Sequence, residues 1–121
     1  MKFESLIEQK SEETLREMLA QYDRGERCFV GLDLAGVEMR GTNPRSSGCW
    51  VGADLCGANF QGARLGGVEF QGANLAGANL SGADPSGANL REANLQGTDL
   101  TDAIVEHVEW EGVNCALDAS I

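Results

Sequence analysis

Histidine is almost missing from this chain, with one in 121 residues, and no lysine follows Lys10. One histidine is too few for the common zinc sites. None of the four cysteines (Cys28, Cys49, Cys56 and Cys115) forms a C-x-x-C pair, their spacings being 21, 7 and 59. Four free thiols are the expectation in a reducing compartment. Without a later lysine, the Gly-rich stretches cannot supply the G-x-x-x-x-G-K-S/T loop that cradles phosphate. Aromatics are only 6% of the chain, so bulky side chains cannot fill a wide interior. No apolar run approaches the ~18 residues that span a bilayer. The start Met1-Lys2-Phe3-Glu4-Ser5 lacks the apolar stretch of a secretory signal. A single soluble cytoplasmic domain is expected.

Positive charge is also scarce. The net charge is −10 and the sequence pI about 4.4. Nucleic-acid binding needs Lys and Arg to displace phosphate counterions, and anionic membranes need the same residues. Both classes are disfavoured, and a basic protein partner stays open.

What the chain has in abundance is a period of five. From Trp50 it reads Ala53-Asp54-Leu55-Cys56-Gly57, Ala58-Asn59-Phe60-Gln61-Gly62, Ala63-Arg64-Leu65-Gly66-Gly67 and Val68-Glu69-Phe70-Gln71-Gly72. The series continues past Leu75, Leu80, Pro85, Leu90, Leu95 and Leu100, and decays around Val105, Trp110 and Cys115. Two residues before each large apolar centre stands a small one, and two after it stands Gly, eight times running from Gly52 to Gly87. Upstream, Phe29, Leu34, Met39 and Pro44 fit as centres, giving eighteen pentads. The step from Pro44 to Trp50 is six residues, so one extra residue is placed within Arg45-Ser46-Ser47-Gly48.

Apolar residues two apart face the same side of an extended chain, and their polar neighbour faces the other. The remaining two residues must turn a corner, where Gly supplies the positive φ of a type II-like turn. Each pentad is thus one side of a polygon. Four sides close a square coil, and stacked coils pair as parallel ladders about 4.8 Å apart, giving roughly four and a half coils over about 22 Å. On this register one column reads Phe29, Trp50, Phe70, Leu90, Trp110, and the next reads Leu34, Leu55, Leu75, Leu95, Cys115. The others read Met39, Phe60, Leu80, Leu100 and Pro44, Leu65, Pro85, Val105. Pro85 removes a ladder donor and marks a local defect. A helical period of 3.6 would instead bury Asn, Asp and Gly.

The A-(D/N)-L-x-G series resembles the pentapeptide-repeat family over about residues 27–115. The resemblance implies an all-β solenoid, a right-handed quadrilateral parallel β-helix. Pro44 and Pro85 in centre slots, Trp50 and Trp110, and the six-residue step depart from the family pattern and put local regularity in question.

A solenoid needs its ends covered. Ser11 before Glu12 and Glu13 reads as a helix N-cap. Leu15, Met18, Leu19 and Tyr22 recur at helical spacing, and Gly25 suits a stop. The pattern predicts a helix over about 12–23 covering the first coil near Phe29, with a shorter turn around Phe3, Leu6 and Ile7. A short helix ending in Arg24-Gly25-Glu26-Arg27 is similar to small cyanobacterial members of the family. The division is a helical cap over 1–26, the β-helix over 27–117 and a tail over 118–121. Leu117 and Ile121 either fold across the last coil, or that end is shared with a second copy, so monomer and end-to-end homodimer both stand.

No catalytic constellation appears, and the expectation is that the chain is not an enzyme and holds no cofactor or metal. His107 stacks with Gly87, which offers no nucleophile, and reads as a lone surface histidine. Cys28 and Cys49 occupy outward slots on successive coils of one column, within disulfide range, although the compartment argues for thiols. Cys115 should be buried as a small apolar residue. Acids accumulate toward the C-terminal end at Glu92, Asp99, Asp102, Glu106, Glu109 and Glu111, with no Lys or Arg after Arg91. These six form the candidate partner surface. The expected function is a non-catalytic structural or interaction module that presents a rigid acidic surface to a protein partner. The alternative, carried by the family resemblance, is DNA-mimic modulation of a type II topoisomerase, DNA gyrase.

Overall fold

The computed structural model describes residues 3–39 and 50–115, with side chains from residue 10 onward. One α-helix, α1 (Phe3–Asp23), precedes a β-helix. Parallel bridges link Asp54 to Asn74, Asn59 to Asn79, Arg64 to Asp84 and Glu69 to Asn89, each 20 residues apart. Four pentads therefore complete one coil, as the period of five requires.

Within a pentad the corner is a β-turn from one apolar centre to the next small residue. Ala58 N–H donates to the Leu55 carbonyl at 3.0 Å, with Gly57 at φ 71° in the third position. Between coils, the centre N–H donates to the coil above and the outward residue's N–H to the coil below. Leu55 N–H reaches the Asn74 carbonyl at 2.7 Å, and Asp54 N–H reaches the Arg27 carbonyl at 2.6 Å. Nearly every backbone group is satisfied this way, which lets strands of two or three residues persist. The interior holds the centres and the small residues. Leu55, Phe60, Leu65 and Leu75 are fully buried together with Ala53, Ala58 and Ala63.

The bridges define four walls. Wall 1 carries the centres Phe29, Leu55, Leu75, Leu95 and Cys115; wall 2 carries Leu34, Phe60, Leu80 and Leu100. Wall 3 carries Met39, Leu65, Pro85 and Val105; wall 4 carries Trp50, Phe70, Leu90 and Trp110. From Trp50 onward this is the register read from the sequence. The first coil differs by one wall. Cys28 bridges Asp54, 26 residues on, so Phe29 lies beneath Leu55 and not beneath Trp50. Trp50 on wall 4 follows Met39 on wall 3 by eleven positions, where a regular step is five. The step is thus six residues longer than a pentad, where the sequence reading placed one extra residue. Pro44 as a centre and the extra residue within 45–48 lie outside the described residues, as do Cys49, Leu117 and Ile121.

The helix also departs from expectation. α1 runs unbroken from Phe3, because Ser11 does not cap it. The Ser11 side chain is buried and donates its hydroxyl to the Ala35 carbonyl at 2.7 Å, on the corner of the first coil. Leu15 and Met18 are buried against the first coil, with Leu19 and Tyr22 partly so. The helix stops as expected at Gly25, which adopts φ 93°. Glu26 N–H donates to the Gln21 carbonyl and Gly25 N–H to that of Tyr22, the paired bonds of a Schellman motif. Tyr22, Phe29 and Trp50 form an aromatic cluster under α1, with ring centroids 5.3–6.5 Å apart. The Arg27 guanidinium lies 3.6 Å over the Tyr22 ring.

Candidate partner surface

Outward Asp and Asn side chains fix each wall to its corner. Their Oδ1 accepts the N–H of the residue two ahead, as from Cys56 to Asp54, Ala76 to Asn74, Ser81 to Asn79 and Thr101 to Asp99, at 2.9–3.2 Å. This Asx geometry orients the first turn residue and explains why the slot prefers short polar side chains. Asn side chains also bridge coils: Asn74 Nδ2 donates to Asp54 Oδ1 at 3.2 Å, and Asn89 Nδ2 to Glu69 Oε2 at 2.9 Å. Hydrogen bonding along the rod follows from the sequence; the bond inside each pentad does not, because only the folded corner brings that N–H within reach.

The six candidate acids are all exposed, but they do not share one wall. Asp99 is outward on wall 2 and Glu109 outward on wall 4. Asp102 sits at the corner between walls 2 and 3, Glu106 between walls 3 and 4, and Glu111 between walls 4 and 1. Five of the six therefore encircle the last described coil, and Glu92 lies one coil below. Glu109 pairs with Arg91 at 3.2 Å, with both side chains close to half exposed. Such a pair contributes little to stability. The Asp99 carboxyl is held below its ordinary pKa by the Thr101 hydroxyl first and the Thr101 N–H second.

Glu92, Asp102 and His107 each adopt φ 59° in the slot that Gly fills elsewhere. The His107 corner is stretched: Val108 N–H lies 3.5 Å from the Val105 carbonyl, against 2.8–3.1 Å at the other hydrogen-bonded corners. His107 is exposed, level with Gly87, whose N–H donates to the Glu106 carbonyl. No nucleophile stands beside it in the register.

Pro85 has the local effect expected of it. It offers no N–H to the coil above, and the wall 3 ladder carries no bridge between Asp84 and Ile104 among the described residues. Ile104 and Val105, directly above, are 47% and 37% exposed. Leu100, Trp110, Val113 and Cys115 are only partly buried. Cys115 was expected in the interior; it is half-buried because no described coil stacks on it. The sequence marked this region as the decay of the series around Val105, Trp110 and Cys115, with Asp102 and His107 in place of Gly, but not the exposure of Ile104 and Val105.

Cys28 is a free, exposed thiol in register with Asp54, so Phe29 and Trp50 do not share the column expected of them; Cys49 lies outside the described residues. Cys56 and Cys115 are also free. A groove of about 340 Å³ between α1 and the corner of walls 2 and 3 is lined by Glu12, Gly36, Glu38, Gly62 and Arg64. It offers no histidine, thiol or hydroxyl. Among the described residues no cluster of His, Cys, Asp or Glu is arranged to hold a metal, and no helix is long and apolar enough to cross a membrane.

Twenty-residue coils, glycine corners and a one-residue-wide Ala/Leu interior define a β-helical repeat protein. The family model for pentapeptide repeats matches eight copies over residues 48–75 and 69–106. The chain belongs to the pentapeptide-repeat family. It is similar to HetL, a pentapeptide repeat protein involved in heterocyst differentiation regulation from the cyanobacterium Nostoc sp. strain PCC 7120. The identity is 35% over 71% of this chain and 37% of HetL, with a TM-score of 0.64. A pentapeptide repeat protein from the Arabidopsis thaliana thylakoid lumen is 28% identical over 73% of this chain and 61% of its own, with a TM-score of 0.47. The protein alr5209 from Nostoc is 24% identical over 86% and 94%, with a TM-score of 0.42. The chain thus spans little more than a third of HetL. No curated protein sequence matches it.

Proposed function

We propose that this chain is a non-catalytic interaction module: a right-handed quadrilateral β-helix of about four to five coils, rigidly presenting an acidic surface to a protein partner. The observation that carries this reading is the combination of a filled interior with carboxylates held outward. Among the described residues the centre of the rod is packed with Ala and Leu, and the groove beside α1 is lined by Glu12, Glu38, Arg64 and glycines without a nucleophile. Its coil-to-coil ladders fix where each outward residue sits, and Asx turns fix outward Asp and Asn side chains such as Asp54 and Asp99, so presentation costs less ordering on binding. The net charge of −10 selects a basic protein over nucleic acid or an anionic membrane.

DNA mimicry would call for acids in rows along a wall. The outward residues run Cys28, Asp54, Asn74, Asn94, Asn114 on wall 1, Asp33, Asn59, Asn79, Asp99 on wall 2, Glu38, Arg64, Asp84, Ile104 on wall 3 and Glu69, Asn89, Glu109 on wall 4. None is an unbroken row of acids, so the topoisomerase reading is not preferred. A cytoplasmic location and the monomeric or end-to-end dimeric state belong to the same proposal. Affinity capture with mass spectrometry, run in parallel on the protein and on its Glu109→Lys, Glu111→Lys variant, tests it. A partner retained by the protein and lost by the variant supports the reading; capture of the same proteins by both contradicts it.

A further inference from the structure

We infer that the groove between α1 and the corner of walls 2 and 3 is a second contact site, which takes an extended peptide segment of the protein partner carrying a carboxylate for Arg64 beside an ammonium for Glu12. This rests on the interaction reading above and adds a site separate from Glu109 and Glu111. Three observations meet there. The first is an arginine that the pentad does not need. Arg64 is the one Lys or Arg in an outward slot among the described residues, where the Asx turn favours Asp or Asn. The other arginines of the described β-helix are engaged, Arg27 with Tyr22 and the Glu26 carbonyl and Arg91 with Glu109. The exposed Arg64 guanidinium makes no hydrogen bond or ion pair among the described residues. The second is mixed charge. Arg64 is bridged in the ladder to Glu38, and Glu12 of α1 completes the charged lining of one space of about 340 Å³. The third is a preformed shape. Ser11, next to Glu12, donates its buried hydroxyl to the carbonyl of Ala35, next to Gly36, at 2.7 Å, and so ties the helix side of the groove to the rod. Gly36 and Gly62 line the corner side, and a Cβ at Gly62 would meet nothing within 4 Å.

The two signs together select the occupant. Phosphates of a nucleic acid or an anionic membrane would meet Glu12 and Glu38 along with Arg64, and a purely basic segment would meet Arg64. An exposed ion pair contributes little by itself, so a free anion or cation gains too little from one of these groups to stay. A chain segment brings both charges at once, because side chains two apart in an extended strand project from the same face. Its backbone also covers the glycine corner, where no side chain stands in the way. The groove exists before binding, so only the segment has to be ordered. Its volume lies at the small end of ligand sites, roughly 300–1,000 Å³, so the contact should be modest and weakened by salt.

The test uses the full chain and capped synthetic peptides of Thr and Ser. Two of them hold Lys and Asp two residues apart, in either order, so that both directions of the segment are covered. In a third, norleucine and Asn replace the charged pair. One charged peptide should shift the Gly36 and Gly62 amide signals saturably in NMR titration, and the uncharged peptide should leave them in place. The affinity should fall about three- to fivefold in Arg64→Gln and in Glu12→Gln. It should stay unchanged in the Arg91→Gln, Glu109→Gln variant, which removes an exposed ion pair elsewhere on the rod. The groove site is overturned if neither charged peptide shifts Gly36 and Gly62, if the uncharged peptide binds as well, or if Arg64→Gln and Glu12→Gln bind like the parent. Equal shifts from acetate or methylammonium alone also overturn it, since the groove would then hold stray ions only. None of these results touches Glu109 or Glu111, so the acidic-surface reading stands or falls on the capture experiment.

Discussion

The Tyr22 hydroxyl donates to the Val51 carbonyl at 2.8 Å, while the Tyr22 ring meets Trp50 edge-on with centroids 5.3 Å apart. One side chain thus ties α1 to a corner backbone and to the largest core residue of the first coil. Tyr22→Phe should lose the hydrogen bond alone, about 1 kcal/mol. Tyr22→Ala also removes the ring contacts and should cost about 3 kcal/mol. Urea unfolding of the two variants checks the order; equal losses would show that the ring contributes nothing beyond the hydroxyl.

Gly77 adopts φ 68° with open space around its missing Cβ, so substitution there tests backbone strain without a clash. Gly77→Ala should destabilise by about 1–2 kcal/mol. In the opposite direction, His107→Gly relieves a φ of 59° and should stabilise by about 0.5–1 kcal/mol. The denaturation midpoints of both variants, moving apart from that of the parent, are the expected result.

Pro85→Leu should restore the missing donor to the wall 3 ladder. The new hydrogen bond contributes about 0.5–1.5 kcal/mol and the larger buried side chain adds to it. The unfolded chain regains freedom costing about 0.4–1 kcal/mol, so the net effect is stabilising. The new amide at position 85 should exchange as slowly as its ladder equivalents Leu80 and Leu90, while Ile104, whose N–H already donates to the Ala83 carbonyl, should change little.

The Thr101 hydroxyl and N–H favour the ionised form of Asp99, so the folded pKa lies below the unfolded one. The stabilisation is therefore present above the ordinary carboxylate pKa and is lost as pH falls through the depressed folded value. Thr101→Val removes the larger of the two causes, and the Asp99 pKa should rise. Carboxyl-carbon NMR titration of the two proteins reads this directly.

The period of five was legible because small, polar, large and glycine slots each answer one demand of a square coil. The register of the first coil was not. Pro44 falls five residues after Met39, and spacing alone cannot distinguish a wall from a connection of equal length. The ladder settles it through Cys28 and Asp54. Ser11 misled for a related reason: a serine before two glutamates suits an N-cap, and only the folded chain brings the Ala35 carbonyl to it. The acids were legible as a run in sequence. Their arrangement around one end follows from register, which maps neighbours in the chain onto different walls.

Every step depends on pentads four apart lying directly above one another. In a background with the native cysteines replaced by serine, Asn79→Cys with Asp99→Cys places two thiols on adjacent coils of wall 2, within disulfide reach at about 4.8 Å between strands. Asn79→Cys with Asn94→Cys, fifteen residues apart, places them on different walls. Under mild oxidation the first pair should close quantitatively and the second should remain reduced. Closure of the second pair in preference to the first would contradict the four-walled coil.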